Sequence, residues 1–289
     1  MNHSMTTTHE ERMQALRARE AERERQEAAT PRQLFLPGFE HEKMGALPND
    51  VNRSSLFAPV ARGRRRWHRQ AKMVTRSDCT LEYTGEQLDE ADADIAMALI
   101  QFARPRPFAE PVPVNRAELL RFIGRGTGKT QYEWLHRRIK AMTEATMFLE
   151  AWRKNGTRRY SVGRYYGFHI IDKFELDEAT GVYHFMLDAR WIALFMGNNF
   201  ALVDWDKRKE LTRQDMAKAL QRLIATDAAT VQRYALDALK AQFTYAGRLR
   251  DFRQALDQAC AELRRVGVIA EWKQGTSTTG REQLTLWRE

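Results

Sequence analysis

Two stretches of the 289-residue chain repeat one pattern. Leu119 precedes Trp152 by 33 positions, as Leu239 precedes Trp272. Ile123 and Phe243 share the offset, and a basic residue, Arg153 or Lys273, follows each tryptophan. Agreement of this kind predicts an internal duplication, one supersecondary unit built twice.

The periodicity of each copy says what that unit is. In the first, Ile95, Leu99, Ile100 and Phe102 have helical spacing, and the prolines between 105 and 113 end that helix. Asn115 is placed to cap a short helix carrying Leu119, Leu120, Phe122 and Ile123. Glycines between 124 and 128 then turn the chain into a longer helix from about Thr130, with Leu135, Ile139 and Met142 on one face. Residues 147–152 read as a strand, Asn155-Gly156 as a tight turn and 160–168 as the return strand. The second copy has a first helix over 211–224 and a helix with Leu236 and Leu239 ending near Phe243. Its long helix carries Leu249, Phe252, Leu256, Ala259, Leu263 and Val266 and stops at Gly267. Strands at 268–272 and 283–287 flank a polar loop at 275–280. Helix, turn, helix, hairpin is the winged-helix order. The expected fold is therefore α+β and helix-rich: two tandem winged-helix domains at 73–200 and 201–289, behind a largely disordered, charged region at 1–72.

Within that N-terminal region the segment 10–30 mixes both signs of charge with almost no apolar face. It is interrupted by Gln33-Leu34-Phe35-Leu36-Pro37-Gly38-Phe39, an apolar island too short for a core and of the kind that docks on a partner. A linker-like stretch from Leu47 to Ser55 leads to the basic run 62–69, and ordered structure is expected from about Met73.

A net charge of +9, from 47 Lys plus Arg against 38 Asp plus Glu, favours a polyanionic partner. Two cysteines, Cys79 and Cys260, support neither a disulfide framework nor a cysteine zinc site, and read as reduced thiols. No apolar run reaches the roughly 18 to 20 residues of a membrane span, and the N-terminus lacks a signal-peptide core. A soluble, cytoplasmic bacterial protein is expected, with no metal and no cofactor.

Three enzyme-like features carry little. Gly124-Arg125-Gly126-Thr127-Gly128-Lys129-Thr130 ends like a phosphate-cradling loop, but Ile123 stands where that motif needs glycine and the preceding residues read as helix, not strand. His136, His169 and His184 are isolated, so no metal-dependent strand-nicking site is formed. The pairs Asp92/Asp94 and Asp204/Asp206 read as solvated loop or cap residues.

The DNA-binding features are distributed but chemically consistent. The second long helix directs Arg248, Arg250, Arg253, Gln254 and Gln258 away from its apolar face. Arginine pairs bidentately with guanine and glutamine with adenine, so this face suits base reading; the alternative is a solvated polar face. The adjoining loop with Lys273, Thr276 and Arg281 suits a wing on the phosphate backbone. In the first unit Lys129, Gln131, Arg137 and Arg138 on the helix, with Arg158 and Arg159 on the hairpin, suit phosphates more than bases.

From Gln33 to the C-terminus the chain resembles the TrfA-type plasmid replication initiators. The resemblance rests on Leu47-Pro48-Asn49-Asp50, Arg53-Ser54, Leu56-Phe57, Tyr83-Thr84-Gly85, Leu88, and Glu262-Leu263-Arg264 before Gly267. It implies two winged-helix domains on duplex DNA carrying repeated origin sites, or iterons. It also implies origin opening, a monomer-dimer equilibrium linked to copy control, and recruitment of a host helicase, host initiator and sliding clamp. Gln33, Leu34, Phe35 and Leu36 look like the family's clamp-binding peptide, although Pro37 stands where phenylalanine is usual. A winged-helix transcriptional repressor explains the same helices without that peptide; an NTP-dependent DNA enzyme would rest on Lys129 and Thr130 alone.

Overall fold

The computed structural model describes residues 43–60, 65–107, 110–163, 167–196 and 199–289. The chain opens with β1 (Met44–Pro48), α1 (Asn49–Asn52), β2 (Trp67–Lys72), β3 (Cys79–Glu86) and α2 (Glu90–Ala103). It continues through β4 (Val112–Asn115), α3 (Arg116–Phe122), α4 (Lys129–Glu144), β5 (Thr146–Trp152), β6 (Arg158–Val162), β7 (Ile171–Asp177) and β8 (Val182–Leu187). Then come α5 (Trp191–Phe195), β9 (Phe200–Asp204), α6 (Trp205–Glu210), α7 (Asp215–Ile224) and β10 (Val231–Ala235). The last elements are α8 (Leu236–Gln242), α9 (Leu249–Arg265), β11 (Ile269–Thr276) and β12 (Glu282–Arg288). Strand residues are nearly as numerous as helical ones, so the fold is mixed α+β and not helix-rich.

The residues pack into two hydrophobic cores, one drawn from Ala46 to Trp205 and the other from Leu211 to Leu286. Helix α2 runs through the first. Ile95, Ala96, Met97, Ala98 and Leu99 are all buried, so over this stretch the helix is apolar on every side, as a central helix has to be. Its N-terminus is held by a reciprocal capping box: Asp89 accepts from the amides of Ala91 and Asp92, and Asp92 accepts from the amide of Asp89.

The duplication is visible in the strand pairing. Sheet β4-β8-β7 and sheet β10-β12-β11 have the same antiparallel order, with the last strand in the middle. In each hairpin the register shifts just after a buried isoleucine, between Ile171 and Lys173 and between Ile269 and Glu271. The short helices end alike. Ile123 N–H donates to Leu119 O and Arg125 N–H to Leu120 O; 120 positions on, Phe243 donates to Leu239 and Tyr245 to Lys240. Gly124 and Thr244 both take positive φ at this turn.

This pairing corrects the expected hairpin of the first unit. Strands β5 and β6 lie between α4 and β7 in sequence and join a different sheet, β2-β3-β5-β6. The true counterpart of β11–β12 is β7–β8. Alternation of apolar residues marks both hairpins equally, and only the partner strand tells them apart.

Ordered structure also begins earlier than expected. Strand β1 pairs with β9, and Leu47, Val51, Leu56 and Phe57 are buried. Short polar residues made this stretch read as a linker, but Asp50 is a buried acceptor for Arg159 Nη2 (2.7 Å), Asn199 Nδ2 (2.8 Å) and Tyr160 Oη. A buried carboxylate with three donors fixes the backbone around it as firmly as apolar packing does.

Candidate nucleic-acid interface

The second unit presents the clearer face. Phe252, Leu256, Ala259, Cys260 and Leu263 anchor α9 to its core, a spacing that turns the opposite side outward. Arg248, Arg250, Gln254 and Gln258 are exposed on that side. The Arg250 side chain touches the neighbouring Asp251 at 3.5 Å and is 87% exposed. Arg253 is half-buried and pairs with Glu282 on β12, while Gln274 Nε2 donates to the Arg253 carbonyl (2.9 Å). Arg253 therefore ties α9 to the hairpin. Lys273, Thr276 and Arg281 are exposed on β11 and at the tip, where Arg281 N–H donates to Ser277 Oγ (3.0 Å).

In the first unit the predicted residues divide. Lys129 and Arg137 are exposed on α4, and Gln131 is half-buried, accepting from Arg125 at 3.3 Å. Arg125 itself stacks on Trp134, 3.7 Å above the ring. Arg137 lines a groove between α4 and the β7–β8 hairpin, together with Arg116, Lys129 and Lys140. Sequence reasoning missed Arg116, whose guanidinium lies 4.4 Å above the Tyr132 ring. Its helix is short and its charge isolated, so nothing in the pattern marked it.

Arg138 is elsewhere. It is 1% exposed, donates to Asp92 through Nε (2.7 Å) and Nη2 (2.9 Å), and donates to Glu86 through Nη1 (2.5 Å). Burial alone would lower its pKa, but the hydrogen bonds and charges of Asp92 and Glu86 hold it above the ordinary arginine range. The expectation that it meets phosphate is corrected. Arg158 is exposed on β6 and Arg159 is half-buried against Asp50; with β6 in the separate sheet, neither sits on the hairpin of the repeated unit.

Of the aspartate pairs, Asp204 and Asp206 are the cap and solvated residues expected, with Asp206 exposed, whereas Asp92 and Asp94 are not solvated. Asp92 and Asp94 are buried on α2, Asp94 receiving Arg208 and Lys218 Nζ (2.6 Å). Burial opposes ionisation of Asp94, and Arg208 and Lys218 outweigh it, so its pKa lies below the ordinary value. Asp204 caps α6. The segment from Gly124 to Thr130 joins two helices, α3 and α4, where a phosphate-cradling loop joins a strand to a helix. Burial raises the thiols of Cys79 and Cys260 to about 12. Gln33, Leu34, Phe35 and Leu36 lie outside the described residues.

A protein made of two copies of one helix-and-hairpin unit, the second turning an arginine- and glutamine-bearing helix face to solvent, is the class these features define. The TrfA protein family matches residues 25–275, and the chain belongs to that family of replication initiators. No curated protein sequence matches it. Among solved structures, the crystal structure of RctB domains 2-3 superposes with a TM-score of 0.53 at 11% identity, covering 83% of this chain and 97% of that one. A selenomethionine derivative of domain 2 and domain 3 of RctB gives 0.56 at 11%, covering 84% and 98%. At this identity the likeness is one of fold. Among the described residues no helix is long and apolar enough to cross a membrane.

Proposed function

We propose that the chain initiates plasmid replication by binding repeated origin sites in duplex DNA through two winged-helix units, opening the adjacent duplex and recruiting host replication proteins. The observation that carries this reading is the α9 face. Among the described residues, Arg248, Arg250, Gln254 and Gln258 have no side-chain partner beyond the contact of Arg250 with Asp251, and they stand beside an exposed, basic hairpin tip. Arginine and glutamine together read guanine and adenine edges, each good bidentate pair discriminating by about 1–3 kcal/mol. The strand order β10-β12-β11 behind two helices supports the winged-helix description, and the same order in β4-β8-β7 supports it for the first unit. That unit, with Lys129, Arg137 and Arg116 around its groove, is read as a phosphate clamp that adds affinity and orientation.

The test is selection of bound duplexes from a random pool at physiological salt, followed by titration on the enriched site. One extended site, longer than a single helix reads, is expected. Arg250→Ala should relax preference at one position, and Arg137→Ala should weaken every sequence alike and lower the salt dependence. No enrichment, with binding that vanishes as salt rises, would reject the initiator reading.

A further inference from the structure

Strand β2 is the outer strand of the sheet β2-β3-β5-β6 and belongs to neither repeated unit. From Arg65 to Ser77 the sequence holds four arginines, one lysine and no acidic residue. Arg65 is spent internally on Asp89 and Asp92, and Arg76 meets Asp78 at 3.4 Å. Arg66, Arg69 and Lys72 are exposed, and among the described residues no carboxylate forms an ion pair with them. Glu82 is the register partner of Lys72 across the ladder without closing such a pair. Between these cations Trp67 is 60% exposed.

Cations and a bulge on an outer strand have a simple use: they keep its free edge from pairing with another chain. The register shift between His68 and Ala71, with Gln70 at positive φ, fits that use. The tryptophan does not. A large indole left in water next to unpaired guanidinium groups adds to the risk of association that the cations reduce, so it calls for a partner with apolar surface and negative charge together.

The position of the strand says which part of the molecule it extends. His68, Lys72 and Val74 line a small cleft with Thr244, a residue of the turn between α8 and α9. The edge of β2 thus adjoins the turn from which the exposed α9 face starts. Duplex DNA lying along α9 would run past it.

We propose that the β2 edge is a third DNA contact, in which Arg66, Arg69 and Lys72 grip phosphates flanking the segment read by α9 and Trp67 packs on the sugar edge of the groove. The proposal rests on the DNA-binding reading above. It adds a contact outside both repeated units, so the footprint extends beyond the bases that α4 and α9 reach.

The experiment uses the full chain and its selected site in two lengths, one trimmed to the site and one with flanks on both sides, titrated over a salt series. For the triple variant Arg66→Ala/Arg69→Ala/Lys72→Ala, the slope of log K against log salt on the long duplex is expected to fall by about 2 to 3, near 0.9 for each phosphate lost. On the trimmed duplex the variant and the wild type should bind alike, and base preference should not change. Trp67→Ala should weaken binding to the long duplex without changing the slope. Equal thermal unfolding of all forms shows that the fold is kept, as exposed positions allow. A variant slope equal to that of the wild type on the long duplex overturns the proposal. If that equal slope is accompanied by altered self-association in sedimentation, the edge is an interface with a second copy. A wild-type protein that binds no duplex sinks the DNA-binding reading and this proposal with it.

Discussion

The two repeated units share a topology and spend their arginines differently. In α4 the inward positions are Leu135, Arg138, Ile139 and Met142; in α9 the same spacing is filled by Leu256, Ala259, Cys260 and Leu263. An arginine therefore occupies a buried position of α4, whereas every buried position of α9 is apolar. The first unit packs α4 against α2 and β3, which carry Asp92 and Glu86, so an arginine there closes an internal ion pair. On α9 the core-facing positions carry no arginine: Arg248 and Arg250 are exposed, and Arg253 is half-buried against Glu282. Net charge alone thus overstates the surface available to DNA, because part of it is neutralised within the fold.

A second group of buried charges joins the two cores. Glu90 accepts from Arg208 Nη2 (2.8 Å) and from Arg222, which also donates to Asn52 Oδ1 (3.1 Å) and the Phe57 carbonyl (2.7 Å). Arg53 reaches Thr226 Oγ1 at 2.9 Å. Two of these residues, Arg53 and Phe57, belong to the motifs behind the family resemblance, and their use is structural: they hold the second unit against the first.

Interior charges should control stability, and exterior ones should control binding. The largest expected effect is at the junction: Arg222→Met leaves Glu90 short of a partner and should cost about 3–5 kcal/mol, measured by denaturant unfolding. Arg138→Ala should cost about 3 kcal/mol by the same mechanism, while protein that remains folded keeps the salt dependence of DNA binding. A reduced slope in that variant would return Arg138 to the interface. Exposed Arg250→Ala should change stability by no more than about 0.5 kcal/mol.

The helix caps offer a smaller, reciprocal comparison. Asn115 accepts from Ala117 and Glu118 amides at the start of α3, whereas Ala235, at the same place before α8, provides no side-chain cap. Asn115→Ala should destabilise by about 1 kcal/mol and Ala235→Asn should stabilise by up to about 1 kcal/mol. Opposite signs in thermal unfolding would confirm that the two starts are equivalent; equal signs would separate them.

A further effect concerns pH. Burial, then the charge of Asp92, pushes the Asp89 carboxyl up to about 7 against the pull of Arg65. Because the folded value lies above the ordinary 3.8, the native state binds this proton more readily between those values. The group's contribution is then fully present below about pH 4 and is lost as pH rises through about 7. Asp89→Asn keeps a cap acceptor without the titration, so its unfolding midpoint should change less between pH 5 and pH 8 than that of the wild type. Identical pH profiles would remove Asp89 from this account.

Most helices were legible because their apolar residues recur at three and four positions and their ends carry recognisable stops. Asn115 as a cap, Gly267 at positive φ after α9, and the turn at Asn155-Gly156 are local signals with local causes. The exposed face of α9 was legible for the same reason: once the buried stripe is known, the remaining positions follow. The hairpin of the first unit was not. A spacing of 33 residues fits Trp152 as well as Trp272, yet β5 pairs with β3 while β11 pairs with β12. Strand pairing joins residues far apart in sequence, and alternation is identical whichever neighbour is chosen. Residues 47–55 were misread because short polar side chains mark linkers and buried hydrogen-bond networks equally.

By itself, the sequence determined the α+β class, the repeated pair of helices, the surplus of positive charge and the basic, amide-bearing side of α9, all of them consequences of local periodicity and composition. Only the tertiary structure decided which charges remain available to a partner. Whether an arginine meets water or a carboxylate depends on what a distant element places opposite it. Asp92 opposite Arg138, 46 positions away, and Glu90 opposite Arg222, 132 positions away, are contacts that no local pattern encodes.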